Sequence, residues 1–172
     1  DFKKAGESKI ALDVYYQLER KEGESPLEFC IRMGWADYIY EMLAVDFLIL
    51  NRDRHGANIE VLRDRRNKTI RLAPLFDHGL SFFFSSRSMA DIRKTDVMED
   101  KPVQCFVGGN SAKDNLELIP CDHMPRFHSL CPADKLFILE GLDKVLPKEY
   151  LDKIWEMIRR RWEYYESFCN QR

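Results

Sequence analysis

The sequence contains no long uninterrupted hydrophobic run. Its most apolar stretch, 42–50, is broken by Asp46 and is far shorter than the ~20 residues that a membrane-spanning helix requires. The first residues, Asp1-Phe2-Lys3-Lys4, lack the apolar segment of a signal peptide. We therefore expect a protein that neither spans a membrane nor carries an export signal.

Neither a basic excess nor a regular cysteine framework is present. The formal net charge is −2, so the sequence gives no sign of the basic surface that direct nucleic-acid binding uses. The five cysteines are odd in number and scattered, which favours reduced thiols and a cytoplasmic location. With 172 residues, 45% of them hydrophobic and 33% charged, the chain fits a single globular domain, 1–172.

Hydrophobic periodicity predicts three helices before residue 51. The first is capped by Ser8, ends at Gly23 and has an apolar face formed by Ala11, Val14, Tyr15 and Leu18. The second begins with the capping box Ser25-Pro26-Leu27-Glu28 and ends at Gly34. The third, 36–50, is apolar on almost every side, as expected of a helix at the centre of a domain.

The pattern changes after this third helix. Segments 59–62 and 69–72 alternate like strands and are joined by a turn, so they predict a β-hairpin. Segment 80–113 shows little periodicity and a turn at 108–110, which is typical of a loop. Segments 132–146 and 147–169 read as two further helices. The predicted fold class is α+β, mainly helical, with one central β-hairpin.

Polar residues concentrate at the two ends of the predicted hairpin. The run from Asn51 to Asn58 contains an acid, an imidazole, two arginines and two carboxamides, between a buried helix and a strand. After the hairpin comes Asp77-His78-Gly79. Because a hairpin brings its ends together, we expect Asp53 and Asn58 to lie near Asp77.

Carboxylates and a carboxamide in this arrangement suit phosphoryl transfer. One carboxylate orients or deprotonates the attacking hydroxyl, while a second carboxylate and a neutral oxygen hold Mg²⁺ against the triphosphate. Protein kinases space these groups as Asp-x-x-x-x-Asn followed by Asp-x-Gly. The sequence has both halves in that order, as Asp53-x-x-x-x-Asn58 and Asp77-x-Gly79.

The run Asn51-x-Asp53-x-His55-x-x-Asn58, followed by Leu72-Ala73-Pro74-Leu75-Phe76-Asp77, resembles the C-terminal lobe of HipA-type serine/threonine kinases. The same residues resemble the catalytic and metal loops of phosphatidylinositol 3- and 4-kinases, which share that fold. The resemblance is specific over about 43–81. It implies that Asp53 is the catalytic base, that Asn58 and Asp77 bind the metal and nucleotide, and that His55 contacts the transferring phosphate or Asp53.

The resemblance also implies cofactors and partners. It implies ATP with Mg²⁺ or Mn²⁺ but does not say which of the two families supplies the substrate class. The HipA side, which we favour, implies a protein substrate phosphorylated on Ser or Thr, a bacterial cytoplasmic setting and an antitoxin-type partner. No residue pattern shows a surface for that partner. His78 stands where many kinases have Phe, so the Phe-packing switch of those kinases does not carry over.

Structural alternatives compete with each assignment. Asp53, Asn58 and Asp77 could form caps and turns, and His55 could hold its loop through backbone hydrogen bonds. Asp46, inside an apolar helix, needs a partner, for which Arg52 and Arg54 are the natural choices. Four possible zinc ligands, Cys121, His123, His128 and Cys131, do not follow a common zinc spacing, and free thiols are the commoner case.

Two parts of a complete kinase are missing from the sequence. It contains no Gly-x-Gly-x-x-Gly and no Val-Ala-Ile-Lys-like strand before Ser25, which would supply the phosphate lid and the phosphate-binding lysine. Because the first residue is not Met, we expect that an upstream segment has been removed. The chain is thus expected to fold without turning over ATP alone. An inactive regulatory module and a metal-dependent phosphohydrolase remain alternatives.

Overall fold

A computed structural model describes residues 2–172. The N-terminal half contains strand β1 (Glu7–Ala11), helices α1 (Leu12–Glu19), α2 (Pro26–Arg32) and α3 (Ala36–Ile49), the short strand β2 (Asp53–Arg54) and a 3-10 turn (Gly56–Asn58). A hairpin of β3 (Glu60–Asp64) and β4 (Thr69–Leu72) follows. The C-terminal half contains α4 (Met89–Lys94), β5 (Gln104–Cys105), α5 (Ala112–Leu116), α6 (Asp134–Ile138) and α7 (Lys148–Gln171), with 3-10 turns at Cys121–His123 and Leu142–Lys144. This is the predicted α+β class.

The capping box and the two long helices are confirmed. Ser25 accepts a hydrogen bond from the Glu28 amide, and the Glu28 carboxylate accepts one from the Ser25 amide, which fixes the start of α2. Helix α3 is buried over most of its surface and ends at Leu50, which has a left-handed backbone conformation. Helix α7 begins after Pro147, as predicted, and runs to Gln171.

The predicted helix from Ser8 to Gly23 is wrong in its first part. Residues 7–11 form β1, which pairs antiparallel with β3, and the Ser8 hydroxyl donates to the Arg63 carbonyl instead of capping a helix. The shorter helix α1 then buries Leu12, Tyr15 and Tyr16. Val14 and Leu18, predicted to be on the buried face, are 51% and 66% exposed.

The prediction for 132–146 is also wrong in extent. Helix α6 covers only Asp134–Ile138, and Gly141 takes a left-handed backbone conformation at φ 77° before a single 3-10 turn. Segment 80–113 is mostly irregular, as predicted, but it also contains α4 and the two-residue strand β5. Strand β5 pairs in parallel with β2.

Two hydrophobic clusters meet along α3 and α7. The larger one joins α1, α2, α3, the hairpin and α5 to Trp162 and Tyr165 of α7. The smaller one joins Leu50 and Phe83 to the first half of α7. Among residues 2–172, no helix is both long and apolar enough to cross a bilayer. The segment 51–58 follows the end of α3, so its position is set by the most buried helix of the fold.

Candidate active site

The backbone of 51–58 is held by polar groups at the end of α3. The Asn51 amide nitrogen Nδ2 donates to the Asp46 Oδ1 at 2.9 Å, and its Oδ1 accepts from the Asp53 backbone amide at 3.3 Å. The Asn58 Nδ2 donates to the Asp53 carbonyl at 2.8 Å. Asn51 and Asn58 are buried, whereas Asp53 is half-buried. Two buried carboxamides therefore fix the backbone on both sides of the Asp53 carboxylate.

Arg54 connects this segment to the loop that follows the hairpin. Its guanidinium, 1% exposed as a side chain, pairs with the Asp46 carboxylate. Its Nη1 donates to the Asn58 carbonyl at 3.1 Å and to the Phe76 carbonyl at 2.9 Å. Both carbonyl oxygens thus lie within 3.1 Å of one nitrogen, which places Asn58 next to the residue that precedes Asp77.

Burial and the charge of Asp46 have opposite effects on the pKa of Arg54. Burial lowers the pKa of its guanidinium, but the hydrogen bonds and negative charge of Asp46 outweigh that effect and hold the pKa above its ordinary value. The group therefore stays charged, and the pair satisfies the need of Asp46 for a partner. Arg52, the other predicted partner, instead donates from Nε to the Pro102 carbonyl at 2.9 Å.

The second loop is exposed and has an unusual backbone. Asp77 has φ 54°, in the left-handed region that Asp tolerates better than most residues, and its side chain is exposed. His78 Nδ1 lies 3.2 Å from Arg54 Nη2, which can only donate, so Nδ1 is the acceptor. Burial, followed by the charge of Arg54, lowers the pKa of His78. The imidazole is therefore neutral with its proton on Nε2.

Tyr38 and the backbone of 49–52 anchor both ends of this loop. The Tyr38 hydroxyl donates to the Ala73 carbonyl at 2.7 Å, and burial raises the pKa of that phenol to about 12. After the loop, the Arg52 amide donates to the Leu80 carbonyl and the Phe82 amide donates to the Ile49 carbonyl, at 3.1 and 2.9 Å. The Asp77 segment is therefore held to α3 and to 51–52 at its beginning and its end.

The oxygen atoms at this site suit a hard cation. Because the Asn58 Nδ2 is bonded to the Asp53 carbonyl, its Oδ1 is the atom available as a ligand. The exposed Asp77 carboxylate, one residue after Phe76, is the second oxygen group that could hold Mg²⁺ or Mn²⁺ together with water and phosphate oxygens. His55 Nε2 lies 3.7 Å from the Asp53 Oδ1, which is beyond hydrogen-bond distance.

The four possible zinc ligands of the segment 121–131 are not brought together as a metal-binding group. Within 2–172, no group of three or more His, Cys, Asp or Glu side chains is placed to hold a metal ion. Cys121 and Cys131 are exposed free thiols, and His123 lies 3.6 Å from the Asp37 carboxylate.

Sequence reasoning missed two features of the site. Strand β5 pairs Gln104 with Asp53 and Cys105 with Arg54, so the segment around 104 forms a wall beside the candidate catalytic residue. The second is the reach of Arg54 to Phe76 and His78. A two-residue strand is too short to show a periodic pattern in the sequence. Contacts of one side chain with residues beyond a hairpin leave no sequence pattern either.

Comparison with known proteins gives one informative result. No family model and no curated protein sequence matches the chain significantly. Among solved structures, the Helicobacter pylori proinflammatory kinase CtkA matches over 99% of this chain and 74% of that chain, with a TM-score of 0.58 and 12% sequence identity. The chain has a kinase-like fold. At that identity, the likeness concerns the fold and not the activity.

Proposed function

We propose that residues 1–172 form the C-terminal catalytic lobe of an ATP-dependent kinase of HipA type, which transfers the γ-phosphoryl group to Ser or Thr of a protein. Two findings support the proposal. The kinase-like fold extends over nearly the whole chain, and the Asp-x-x-x-x-Asn and Asp-x-Gly segments lie side by side within that fold.

The observation that carries the proposal is the double hydrogen bond from Arg54 Nη1 to the carbonyls of Asn58 and Phe76. If Asp53, Asn58 and Asp77 served only as caps and turns, the two loops at the ends of the hairpin would not need to bind the same buried arginine. A buried cation is costly unless it is paired, and here its pairing sets the spacing between the two loops. Such preorganisation is what phosphoryl transfer demands of a protein.

The proposed roles rest on the HipA resemblance and are compatible with this geometry. Asp53, whose backbone is held by Asn51 and Asn58 and whose carboxylate lies near His55, would accept the proton of the attacking hydroxyl as its oxygen bonds to the γ-phosphorus and ADP leaves. Asn58 Oδ1 and the Asp77 carboxylate would hold Mg²⁺ or Mn²⁺ with the nucleotide. The metal supplies positive charge that neutralises the phosphate oxygens.

The phosphate lid and the phosphate-binding lysine of the proposed kinase would come from residues outside 1–172. This chain alone should therefore give background ATP turnover, since the positioning of reactants accounts for up to ~7–11 kcal/mol of barrier reduction. An antitoxin-type partner is proposed from the HipA resemblance alone.

The test compares ATP consumption and phosphoprotein formation by 1–172 with those of a chain that also carries its native upstream segment. We expect metal-dependent transfer only in the longer chain, abolished by Asp77→Ala and retained in Asp143→Asn, whose carboxylate is exposed on the far 3-10 turn. Inactivity in both chains would contradict the kinase proposal in favour of a regulatory module. Cleavage of phosphate esters without ATP would instead indicate a phosphohydrolase.

A further inference from the structure

A groove opens directly beside the candidate catalytic segment. It has a volume of about 310 Å³ and lies between His55-Gly56 and the segment 103–109, with Gln104, Phe106, Gly108 and Gly109 among its lining residues. Gln104 is the strand partner of Asp53, and His55 lies 3.7 Å from the Asp53 carboxylate. Any segment in this groove would therefore lie next to the proposed base.

The lining of the groove has no strong charge. No Lys, Arg, Asp or Glu is among the described residues that line it, and His55 is the single titratable imidazole. The nearest arginines point elsewhere, because Arg54 is buried on Asp46 and Arg52 is bonded to the Pro102 carbonyl. A phosphorylated headgroup would find no cation there, whereas an uncharged side chain would lose little hydration on entry.

Hydrogen bonds and side-chain packing hold the wall of the groove in place. Buried Asn115 accepts from the Gly109 amide at 2.7 Å and donates to the Gly109 carbonyl at 3.3 Å. A Cβ at Gly108 would lie 2.3 Å from Asn115 Oδ1, so only glycine fits there. On the opposite side, Phe106 packs edge-on against Tyr16 with ring centroids 5.7 Å apart. The two glycines thus present backbone, without side chains, to the groove.

Backbone hydrogen bonds hold strand β5 along both of its edges. Its Gln104 and Phe106 amides donate to the Arg52 and Arg54 carbonyls of β2 at 2.9 and 2.8 Å. Because alternate residues of a strand point their backbone groups to opposite sides, the Cys105 amide faces away from β2. On that side the chain's own turn closes the strand, because the Val103 amide donates to the Asn110 carbonyl at 3.0 Å and the Gly108 amide donates to the Cys105 carbonyl at 3.3 Å. A bound peptide would therefore enter the groove with a side chain and would not extend the sheet.

We propose that this groove, called here the acceptor groove, holds the residue beside the phosphorylated Ser or Thr of a protein substrate and selects an uncharged apolar side chain there. The proposal rests on the proposed kinase function and adds the sequence context of its acceptor. It places a side chain of a polypeptide, and not an inositol phosphate, next to Asp53.

Gly109 provides a substitution that fills the groove without disturbing the fold. A Cβ there would meet only Asn115 Oδ1, at 3.9 Å, and the residue is not among those with a left-handed backbone. Gly109→Leu should therefore fold normally and block the groove. Asn110→Leu, at the exposed neighbouring position, is the matched control with the same added side chain outside the groove.

The experiment follows backbone amide NMR shifts of the chain during titration with short peptides that have a central Ser flanked by Leu, Arg or Glu, and with inositol trisphosphate. We expect the Leu peptide to shift the amides of 103–109 and to bind at least tenfold more tightly than the Arg or Glu peptides. Gly109→Leu should lose this binding and Asn110→Leu should keep it. Gly109→Asp should reverse the preference toward the Arg peptide.

Three results would contradict the acceptor-groove proposal. The first is that the Leu peptide leaves the amides of 103–109 unshifted, and the second is that Gly109→Leu binds it as tightly as the wild type does. The third is that a charged peptide or inositol trisphosphate binds as tightly as the Leu peptide or more tightly. Mn²⁺ broadening in the same samples separates this proposal from the kinase assignment. Broadening at 53–58 and 77–79 without peptide binding would reject the groove alone. Peptide binding without such broadening would reject the metal site and leave the groove as a peptide-binding surface.

Discussion

Arg54 donates hydrogen bonds to both oxygens of the Asp46 carboxylate, with Nε 2.8 Å from Oδ2 and Nη2 2.9 Å from Oδ1. This two-point pair joins the segment 51–58 to the centre of α3. The remaining nitrogen, Nη1, continues to the carbonyls of Asn58 and Phe76. One buried side chain therefore sets the position of the candidate catalytic loop relative to the candidate metal loop.

Arg54→Met should destabilise the protein by about 3–5 kcal/mol, because it leaves the Asp46 carboxylate buried and unpaired. The free energy of unfolding from chemical denaturation measures this loss. Arg65→Met, at the exposed hairpin turn, removes the same charge and should stay within about 0.5 kcal/mol of the wild type. A loss below about 1 kcal/mol for Arg54→Met would show that the pair does not stabilise the loop as argued.

Gly56→Ala should disturb the catalytic segment through crowding. A Cβ at Gly56 would lie 2.5 Å from the Asp13 Cβ and 2.9 Å from the Phe106 ring, so α1 and the segment after β5 must move apart. Overpacking of this kind costs about 1–3 kcal/mol, measured as the change in unfolding free energy.

Gly109→Ala is the control for this crowding, since its Cβ would have no contact closer than 3.9 Å. It should leave the unfolding free energy nearly unchanged. Equal effects of the two substitutions would mean that the close approach of Gly56 to α1 does not constrain the site.

Asp53→Asn separates chemistry from folding. The Asp53 backbone makes the loop's hydrogen bonds with Asn51 and Asn58. Within residues 2–172, its side chain has no hydrogen bond and lies 3.7 Å from His55. Stability should therefore change by no more than about 0.5 kcal/mol, while kcat of the chain with its upstream segment should fall by roughly 10²-fold or more.

Steady-state kinetics together with thermal unfolding test this prediction, with Asp143→Asn as the control. Full activity in Asp53→Asn would rule out the proposed base. A variant that unfolds would instead favour the cap-and-turn interpretation of this aspartate.

Much of the fold was predictable because its signals are local. The Ser25–Glu28 capping box, the apolar run of α3 and the alternation in 59–62 and 69–72 each lie within one element. Asp46 needed a partner by its burial alone, and Arg54 was one of two arginines within reach. The side-by-side position of the loops at 51–58 and 77–79 follows from the hairpin that joins them.

Long-range pairing accounts for the errors. Residues 7–11 form a strand because β3, 49 to 57 residues away, provides its partner, with Glu7 opposite Asp64 and Ala11 opposite Glu60. No pattern within 7–11 shows this. The helix predicted for 132–146 ends at Ile138, and the left-handed Gly141 then separates it from the 3-10 turn that follows. The pairing of β5 with β2 rests on two residues of each strand. The acceptor groove depends on that pairing, so the sequence alone could not reveal it.

The measurement that tests the central claim most directly is paramagnetic broadening of the chain's amide resonances by Mn²⁺. With two protein oxygens and water as ligands, binding should be weak, on the order of millimolar. We predict broadening centred on 53–58 and 77–79, lost in Asp77→Ala and unchanged in Asp143→Asn. Broadening confined to the segment 121–131, or unaffected by Asp77→Ala, would contradict a metal site at Asn58 and Asp77.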